Sequence, residues 1–393
     1  MRLASRMSAI GTETAFEAAA RARELEATGR SVIHLEIGEP DFDTPANIRA
    51  AAKRGLDEGY THYGPVLGLP ALREAIAADV TARKGFAASP ERVVVTPGAK
   101  PIMFYAIEAL IEPGDEVVFP DPGFPIYESM TRYCGGTPVR LPIRQSNDFR
   151  IDLDELAGMI TPRTKLLVIN SPANPTGGLF TRGDIERIGE LAVQHDLVVL
   201  ADEIYGRIVY EGEHVSLASL PGLADRTIVL DGFSKTYAMT GWRLGYAILP
   251  EPLLLPFSRL IVNSVSCTSM FSQVAAVEAL TGPQDAVDTM VEEFRARRAL
   301  IVAGLNAIPG IDCHEPAGAF YVFPDVSGTG LDGAAFADGL LAEAGVCVLA
   351  GTAFGQVGRD HVRISYANSR ENLAEALRRI GAFVAARSQA GSA

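Results

Sequence analysis

The sequence predicts an α/β protein. A three-layer α/β/α unit on a mostly parallel sheet is joined to a smaller α+β part. Three observations carry that class. From about residue 90, short β-branched runs recur: 92–96, 115–120, 165–170, 197–202, 227–231 and 245–249. Stretches with helical spacing, such as 101–111 and 184–195, lie between several of them. Strands that are apolar throughout and separated by helices belong to sheets covered on both faces. After Gly282-Pro283 the texture changes to a long helical segment followed by strand, helix, two strands and helix.

The elements follow in chain order. Residues 13–28 read as an amphipathic helix, with Thr14 and Glu17 spaced as a capping box. The stretch VTPGAKPIMFYAIEALI reads as a strand ending at Thr96, a turn, and a helix with Pro101 in its first turn, where its missing N–H costs nothing. The last part holds AFYVFPDV, AAFADGLLAEAG, VCVLAG, HVRISYA and ENLAEALRRIGAFVAA, alternating between strand and helix texture. The polar tail 388–393 is expected to fray. These patterns divide the chain into a large unit, 46–285, and a small one made of 1–45 with 286–393. A length of 393 residues suits roughly two to three domains.

The bulk numbers exclude several classes. The net charge of −13 argues against nucleic acid or an anionic membrane as partner, since both need basic patches. The four cysteines, Cys134, Cys267, Cys313 and Cys347, form no CxxC pair and read as reduced thiols. The six histidines show no metal-ligand spacing. The N-terminus lacks the apolar core of a secretory signal, and no run approaches a membrane span of about 20 apolar residues. The reading is a cytoplasmic protein.

Two motifs mislead. Gly328-Thr-Gly330-Leu-Asp-Gly333 matches the dinucleotide pattern GxGxxG, but the next strand offers no acidic residue for a ribose, so it reads as a strand-to-helix loop. Gly232-Phe-Ser234-Lys-Thr236 lacks the last glycine of a nucleophile elbow.

Four strand ends carry the chemistry. After Thr96, the backbone N–H groups of Gly98, Ala99 and Lys100 open a helix and suit a phosphate, or else form an ordinary turn. Asn174 sits in the turn Asn-Pro-Thr-Gly after strand 165–170. Asp202 closes strand 197–202 with Tyr205 three residues on. A carboxylate there needs a cation, such as a protonated heterocycle nitrogen, or serves as a helix cap or structural ion pair. Lys235 follows strand 227–231 among Phe233, Tyr237, Met239 and Trp242, a setting that makes an amine nucleophilic toward carbonyls. Arg243, embedded in the same stretch, suits a phosphate. Together these parts fit pyridoxal 5'-phosphate (PLP).

The sequence resembles the fold-type I, class I/II PLP-dependent aminotransferases over nearly its whole length. GEPDFDTP (38–45), HYGPVLGLPALREAI (62–76), TPGAK, NPTG, DEIY, SKTYAMTGWRLGY, GAFYVFPDV (318–326) and VRISYA (362–367) carry the likeness, in that order. The resemblance implies that Lys235 forms the internal aldimine and shuttles a proton between Cα and C4'. It implies that Asp202 pairs with the pyridine nitrogen, and that Asn174 and Tyr205 hydrogen-bond the ring's phenolic oxygen. Arg243 and the 98–100 amides would hold the phosphate, and Phe124 would stack on the ring or serve as core. Arg363 would grip the substrate α-carboxylate as a bidentate fork, or form a surface ion pair. Gly38 would close over that carboxylate beside Ile37. Tyr63 would reach the phosphate of a neighbouring subunit, which implies a homodimer with shared active sites.

The implied reaction is ping-pong transfer of an α-amino group between an amino acid and a 2-oxo acid. Elimination or replacement, decarboxylation, or cyclisation of an amino acid or S-adenosylmethionine on the same apparatus remains open. So does a nicotinamide oxidoreductase using the 328–333 glycines. Gly232 stands where many members carry a hydroxyl, for which Ser234 can compensate. The loop 263–272 lacks the arginine by which some members bind dicarboxylates, leaving Lys100 as a weak substitute. Ile37, Phe124 and that uncharged loop favour neutral or aromatic side chains.

Overall fold

The computed structural model describes residues 1–11 and 14–390. Its twelve strands are β1 (Ile33–His34), β2 (Val93–Thr96), β3 (Glu116–Asp121), β4 (Thr137–Pro142), β5 (Thr164–Asn170), β6 (Val198–Asp202), β7 (Thr227–Gly232), β8 (Gly245–Ile248), β9 (Tyr321–Val322), β10 (Val346–Cys347), β11 (Leu349–Ala350) and β12 (Val362–Ser365). The helices are α1 (Thr14–Ala27), α2 (Ala46–Asp57), α3 (Pro70–Lys84), α4 (Lys100–Leu110), α5 (Ile126–Tyr133), α6 (Leu153–Met159), α7 (Arg182–Gln194), α8 (Leu254–Ser264), α9 (Met270–Thr281), α10 (Asp285–Asn306), α11 (Gly333–Gly339) and α12 (Arg370–Ala390). Among the described residues no helix is long and apolar enough to cross a membrane.

The central sheet has seven strands in the order β2-β8-β7-β6-β5-β3-β4. All its pairs are parallel except those of β8, which runs against both β2 and β7. Side chains alternate between faces along a strand, and both faces are covered. Leu166 and Val168 of β5 pack with α4, whereas Leu167 and Ile169 pack with Ile185, Ile188 and Leu191 of α7. Val93 and Val95 of β2 join Leu72, Ile76 and Val80 of α3 and the alanines of α9. This two-sided burial is why the strands read as unbroken apolar runs.

Some local details were not visible in advance. The strand β4 carries Pro138, Pro142 and Arg140 and looks nothing like a buried strand. It is an edge strand paired only with β3, where missing donors are tolerated. The run VCVLAG is not one strand. It splits into β10, parallel to β1, and β11, antiparallel to β12. Thr14 lies inside α1 rather than capping it, and Glu13 falls outside the described residues. The expected frayed tail continues α12 to Ala390, with 391–393 outside the described residues.

The reversal of β8 matters most for the site. Because β2 and β7 flank it antiparallel, the chain entering β8 arrives where β2 and β7 end. Gly245 at its start is paired with Thr96 on one side and Gly232 on the other. A side chain at Gly245 would meet Ala99 N at 2.5 Å and Gly98 C at 2.6 Å, so the turn before α4 lies directly on the strand. Gly245→Ala therefore loses about 2–3 kcal/mol of stability by forcing backbone apart. Gly241→Ala, with open space around it, loses far less. Paired chemical denaturation of the two variants checks this.

Candidate active site

At the carboxyl edge of the sheet lies a cavity of about 490 Å³, within the usual range for small-molecule sites. Ile37, Gly38, Ala99, Lys100, Phe124, Asn174, Asp202, Tyr205, Ser234, Lys235, Arg243 and Arg363 all line it. Gly98 and Tyr63 do not. These residues come from segments up to 326 positions apart, from Ile37 to Arg363, and the sheet edge and the segment around β12 bring them together.

Asp202 ends β6 and is buried. Tyr127 donates its hydroxyl to Asp202 Oδ2 at 2.7 Å, and the Ile204 N–H donates to Oδ1 at 3.3 Å, both uncharged donors. Burial is the main cause that pushes this carboxyl up to about 6, with the Asp231 and Glu203 charges adding to it. It is a buried acid suited to a cationic partner.

Asn170, at the end of β5, splices the site together. Its Nδ2 donates to the Asp202 backbone carbonyl at 3.0 Å, and its Oδ1 accepts from the Asn174 N–H at 2.8 Å. Asn174 Oδ1 in turn accepts from Arg363 Nη1 at 3.1 Å. Arg363 is buried at 4% exposure and is therefore not a surface side chain. Its Nη2 donates to the Glu36 carbonyl, and the guanidinium lies 4.5 Å from the Tyr321 ring centroid and 4.9 Å from that of Phe354. Tyr205 and Tyr321 share a hydroxyl–hydroxyl hydrogen bond of 2.8 Å. Tyr127, Asn170 and Tyr321 belong to this site and were not singled out from sequence. Only their places, three residues after Phe124, at a strand end, and inside GAFYVFPDV, could have flagged them.

Lys235 is half-buried, with Nζ donating to the Gly38 carbonyl at 2.5 Å and lying 5.9 Å from the Phe320 ring centroid. A side chain at Gly38 would strike Tyr321 Oη at 2.0 Å, so the backbone approaches the cavity closely there. Phe124 is half-buried against the cavity, edge-on to Tyr127, with Lys100 Nζ 5.4 Å from its ring centroid.

Two expectations need correction. The Gly98 N–H donates to the Thr96 carbonyl at 2.8 Å, so it is consumed by the turn and not free to cradle an anion. Gly98 contributes by lacking a side chain. Its φ is +91°, and a Cβ there would meet Arg243 Nη2 at 2.2 Å. Arg243 is exposed rather than embedded. Its backbone is left-handed, at φ 53°, and its Nη1 donates to the Thr240 carbonyl at 2.8 Å. The chain turns there to enter β8, which swings the guanidinium over Gly98. Tyr63, 89% exposed, stands outside the cavity.

The 328–333 glycines are taken up by packing. Gly328 lies against the Gly310 backbone, and a Cβ on Gly333 would meet the His361 carbonyl at 2.0 Å. The strand before them, β9, belongs to an antiparallel three-stranded sheet, not a parallel crossover unit.

An acid at the floor, an amine beside it, and a guanidinium over a glycine at a helix start fit a phosphorylated pyridine aldehyde. Comparison with known proteins agrees. Residues 30–380 match the family model described as aminotransferase class I and II. An aspartate aminotransferase of Pyrococcus abyssi is 43% identical over 91% of this chain and 92% of its own length. Aromatic-amino-acid aminotransferase 2 of Thermococcus litoralis is 42% identical over 89% and 90%. The structure of Thermus thermophilus aspartate aminotransferase with maleate superposes with a TM-score of 0.93, at 39% identity, covering 98% of this chain and 100% of that one. The chain thus belongs to the class I and II aminotransferase family and is a PLP-dependent aminotransferase.

Proposed function

We propose that this cavity moves an α-amino group between an amino acid and a 2-oxo acid by a ping-pong route, with Lys235 as the covalent and proton-carrying residue. The observation that carries the reading is the convergence of Lys235, Asp202, Arg243 and Arg363 on one cavity. When bound, the cofactor supplies an aldehyde for amine exchange and an electron-withdrawing ring. Lys235 Nζ would be the amine that holds the cofactor's aldehyde carbon and, once freed by the substrate amine, the base that moves the proton at the substrate Cα. Asp202 holds its negative charge against the ring nitrogen, and Tyr127 orients it. Asn174 and Tyr205 would hold the ring oxygen and Phe124 would cover the ring.

Arg243, with the Ala99 and Lys100 amides and Ser234, holds the phosphate. Arg363 binds the substrate carboxylate with the backbone around Ile37 and Gly38. Its stacking on Tyr321 and Phe354 fixes the plane of the fork.

The amino donor is neutral or aromatic in this reading. Ile37, Met103, Phe124 and Phe16 supply apolar lining. The aromatic-amino-acid aminotransferase of Thermococcus litoralis agrees with this reading, whereas the Pyrococcus abyssi relative is named for aspartate, an acidic donor. The working form is a cytoplasmic homodimer. Tyr63, Leu56 near the end of α2, Tyr60 just beyond it, and Leu255 and Val262 of α8 are large apolar side chains left exposed. A second copy would cover them and receive Tyr63 at its phosphate site. Residues 46–285 and the remainder act as two units closing on the cavity.

Two experiments test these roles. Lys235→Ala retains cofactor only non-covalently, so borohydride no longer fixes it to the chain, and turnover falls at least about a thousandfold. Normal turnover by that variant sinks the assignment. Asp202 gives a pH signature in the cofactor-free protein. Its folded value, about 6, lies above the ordinary 3.8. Its stabilising contribution is then complete below about pH 4 and gone above about pH 6. Wild-type apoprotein should lose up to about 3 kcal/mol relative to Asp202→Asn across that interval. Cofactor binding should abolish the loss, and denaturation at pH steps with and without cofactor measures both.

A further inference from the structure

Behind the wall that carries Asp202 lies a buried charge cluster that the reaction above does not use. Lys84, the last residue of α3, is 7% exposed. Its Nζ contacts Glu203 Oε2 at 2.6 Å and Asp231 Oδ2 at 2.8 Å. Both acids are buried as well. Glu203 directly follows Asp202 at the end of β6, and Asp231 lies in β7, four residues before Lys235. One ammonium therefore joins the ends of the two strands that carry the floor acid and the reactive amine.

The surrounding groups are satisfied and mostly uncharged. Ser216 Oγ donates to Glu203 Oε1 at 2.7 Å, and Tyr246 Oη to Asp231 Oδ2 at 3.2 Å. The Gly232 N–H donates to Asp231 Oδ1 at 2.7 Å. His214 Nε2 lies 3.9 Å from Glu203, and burial pulls its titration down toward the neutral form. The neighbouring Arg83 is engaged by Asp79, although its charge is felt at Asp231. Burial alone would discharge Lys84, but the two carboxylates hold it protonated. Two acids against one ammonium leave a net negative charge here, and those acid charges push up the Asp202 carboxyl.

We propose that Lys84 is a positioning residue of the active site: it ties the ends of β6 and β7 together through Glu203 and Asp231 and screens Asp202 from their charge. The inference rests on the reading of Asp202 as the partner of the ring nitrogen. Removing one member of a buried ion cluster strands the charge of the others. Lys84→Met makes the site more negative, whereas Asp231→Asn makes it less so. The two substitutions therefore act with opposite sign on any titration within the site, which general loosening of the fold does not produce.

The test titrates the lysine-linked absorption band of the holoenzyme with pH. Lys84→Met should move its midpoint up by about half a pH unit or more, and Asp231→Asn should move it down. The double variant should return close to wild type. Isotope-edited infrared spectroscopy of the Asp202 carboxyl, in the full chain freed of cofactor, should show the same signs. Unmoved midpoints, or shifts in the same direction, overturn the proposal. If Lys84→Met does not fold, Asp231→Asn alone decides, and the absence of a downward shift is fatal. A wild-type band that survives Lys235→Ala would instead refute the roles proposed for Lys235 and Asp202.

Discussion

A carboxylate at the end of a fully covered parallel strand is expensive to bury, and the arrangement around Asp202 follows from that cost. Its strand, β6, has Val199, Leu200 and Ala201 wholly buried, so no water reaches Asp202 along the sheet. The surroundings can lower the cost by supplying donors, by supplying a cation, or by letting the acid take a proton. The chain supplies two uncharged donors, Tyr127 Oη and the Ile204 N–H, and the acid still titrates high. A positive charge at the cavity face would lower the cost further, and in the proposed reading a protonated ring nitrogen supplies it. In that reading cofactor binding would stabilise the charged carboxyl, which would link affinity for the cofactor to stability.

The same edge gathers groups of opposite sign by topology rather than by local sequence. A sheet with every strand parallel would send the chain entering β8 to the far edge, away from Lys235. Reversing β8 returns it to the near edge after a connection of only twelve residues between Gly232 and Gly245. That connection holds both Lys235 and Arg243. In the proposed reading the two cations of this one short segment would serve the two ends of one ligand, a carbonyl and a phosphate. The left-handed backbone at Arg243 is the local cost of the turn, and Gly98 opposite it provides the room.

Much of this was legible in the sequence, for definite reasons. Buried strands announce themselves as β-branched runs because both faces are apolar, so β2, β3, β5, β6, β7 and β8 were visible. Asp202, which ends one of them, and Asn174, in the turn after another, stood out against that background. What escaped was set by tertiary contact. The prolines of β4 mimic a loop because only an edge position tolerates them. Tyr127 looks like a core aromatic until its hydroxyl is seen on Asp202. Asn170 looks like a strand terminus until both its side-chain ends are found bonded within the site. Lys84 reads as an ordinary cation in the last turn of a helix, where such residues are favoured anyway. Its burial depends on Glu203 and Asp231, which are 119 and 147 positions away. The exposure of Arg243 and the engaged amide of Gly98 ran against expectation for the same reason: neither the turn at Thr96 nor the reversal of β8 can be read from residue type alone.

Gly232 shows how one such contact changes the meaning of a residue. From sequence it is a gap, a glycine where related chains often have a hydroxyl for the phosphate. In the fold it pairs across to Gly245, and a Cβ on it would lie 3.0 Å from the Gly245 Cα and 3.2 Å from the Leu244 carbonyl. Those neighbours are backbone and cannot rotate aside. Gly245 in turn is pressed against the 98–99 turn. Three glycine-bearing segments, at 98, 232 and 245, are therefore stacked at backbone distance, and a serine at 232 would have to spread them. The consequence falls on the cations. Spreading that stack would move the Gly98 turn away from Arg243 and Gly232 away from the Asp231–Lys84 contact beside it. In this chain a hydroxyl at 232 is given up for a closer approach of backbone, with Ser234 left beside Lys235 as a hydroxyl that lines the cavity.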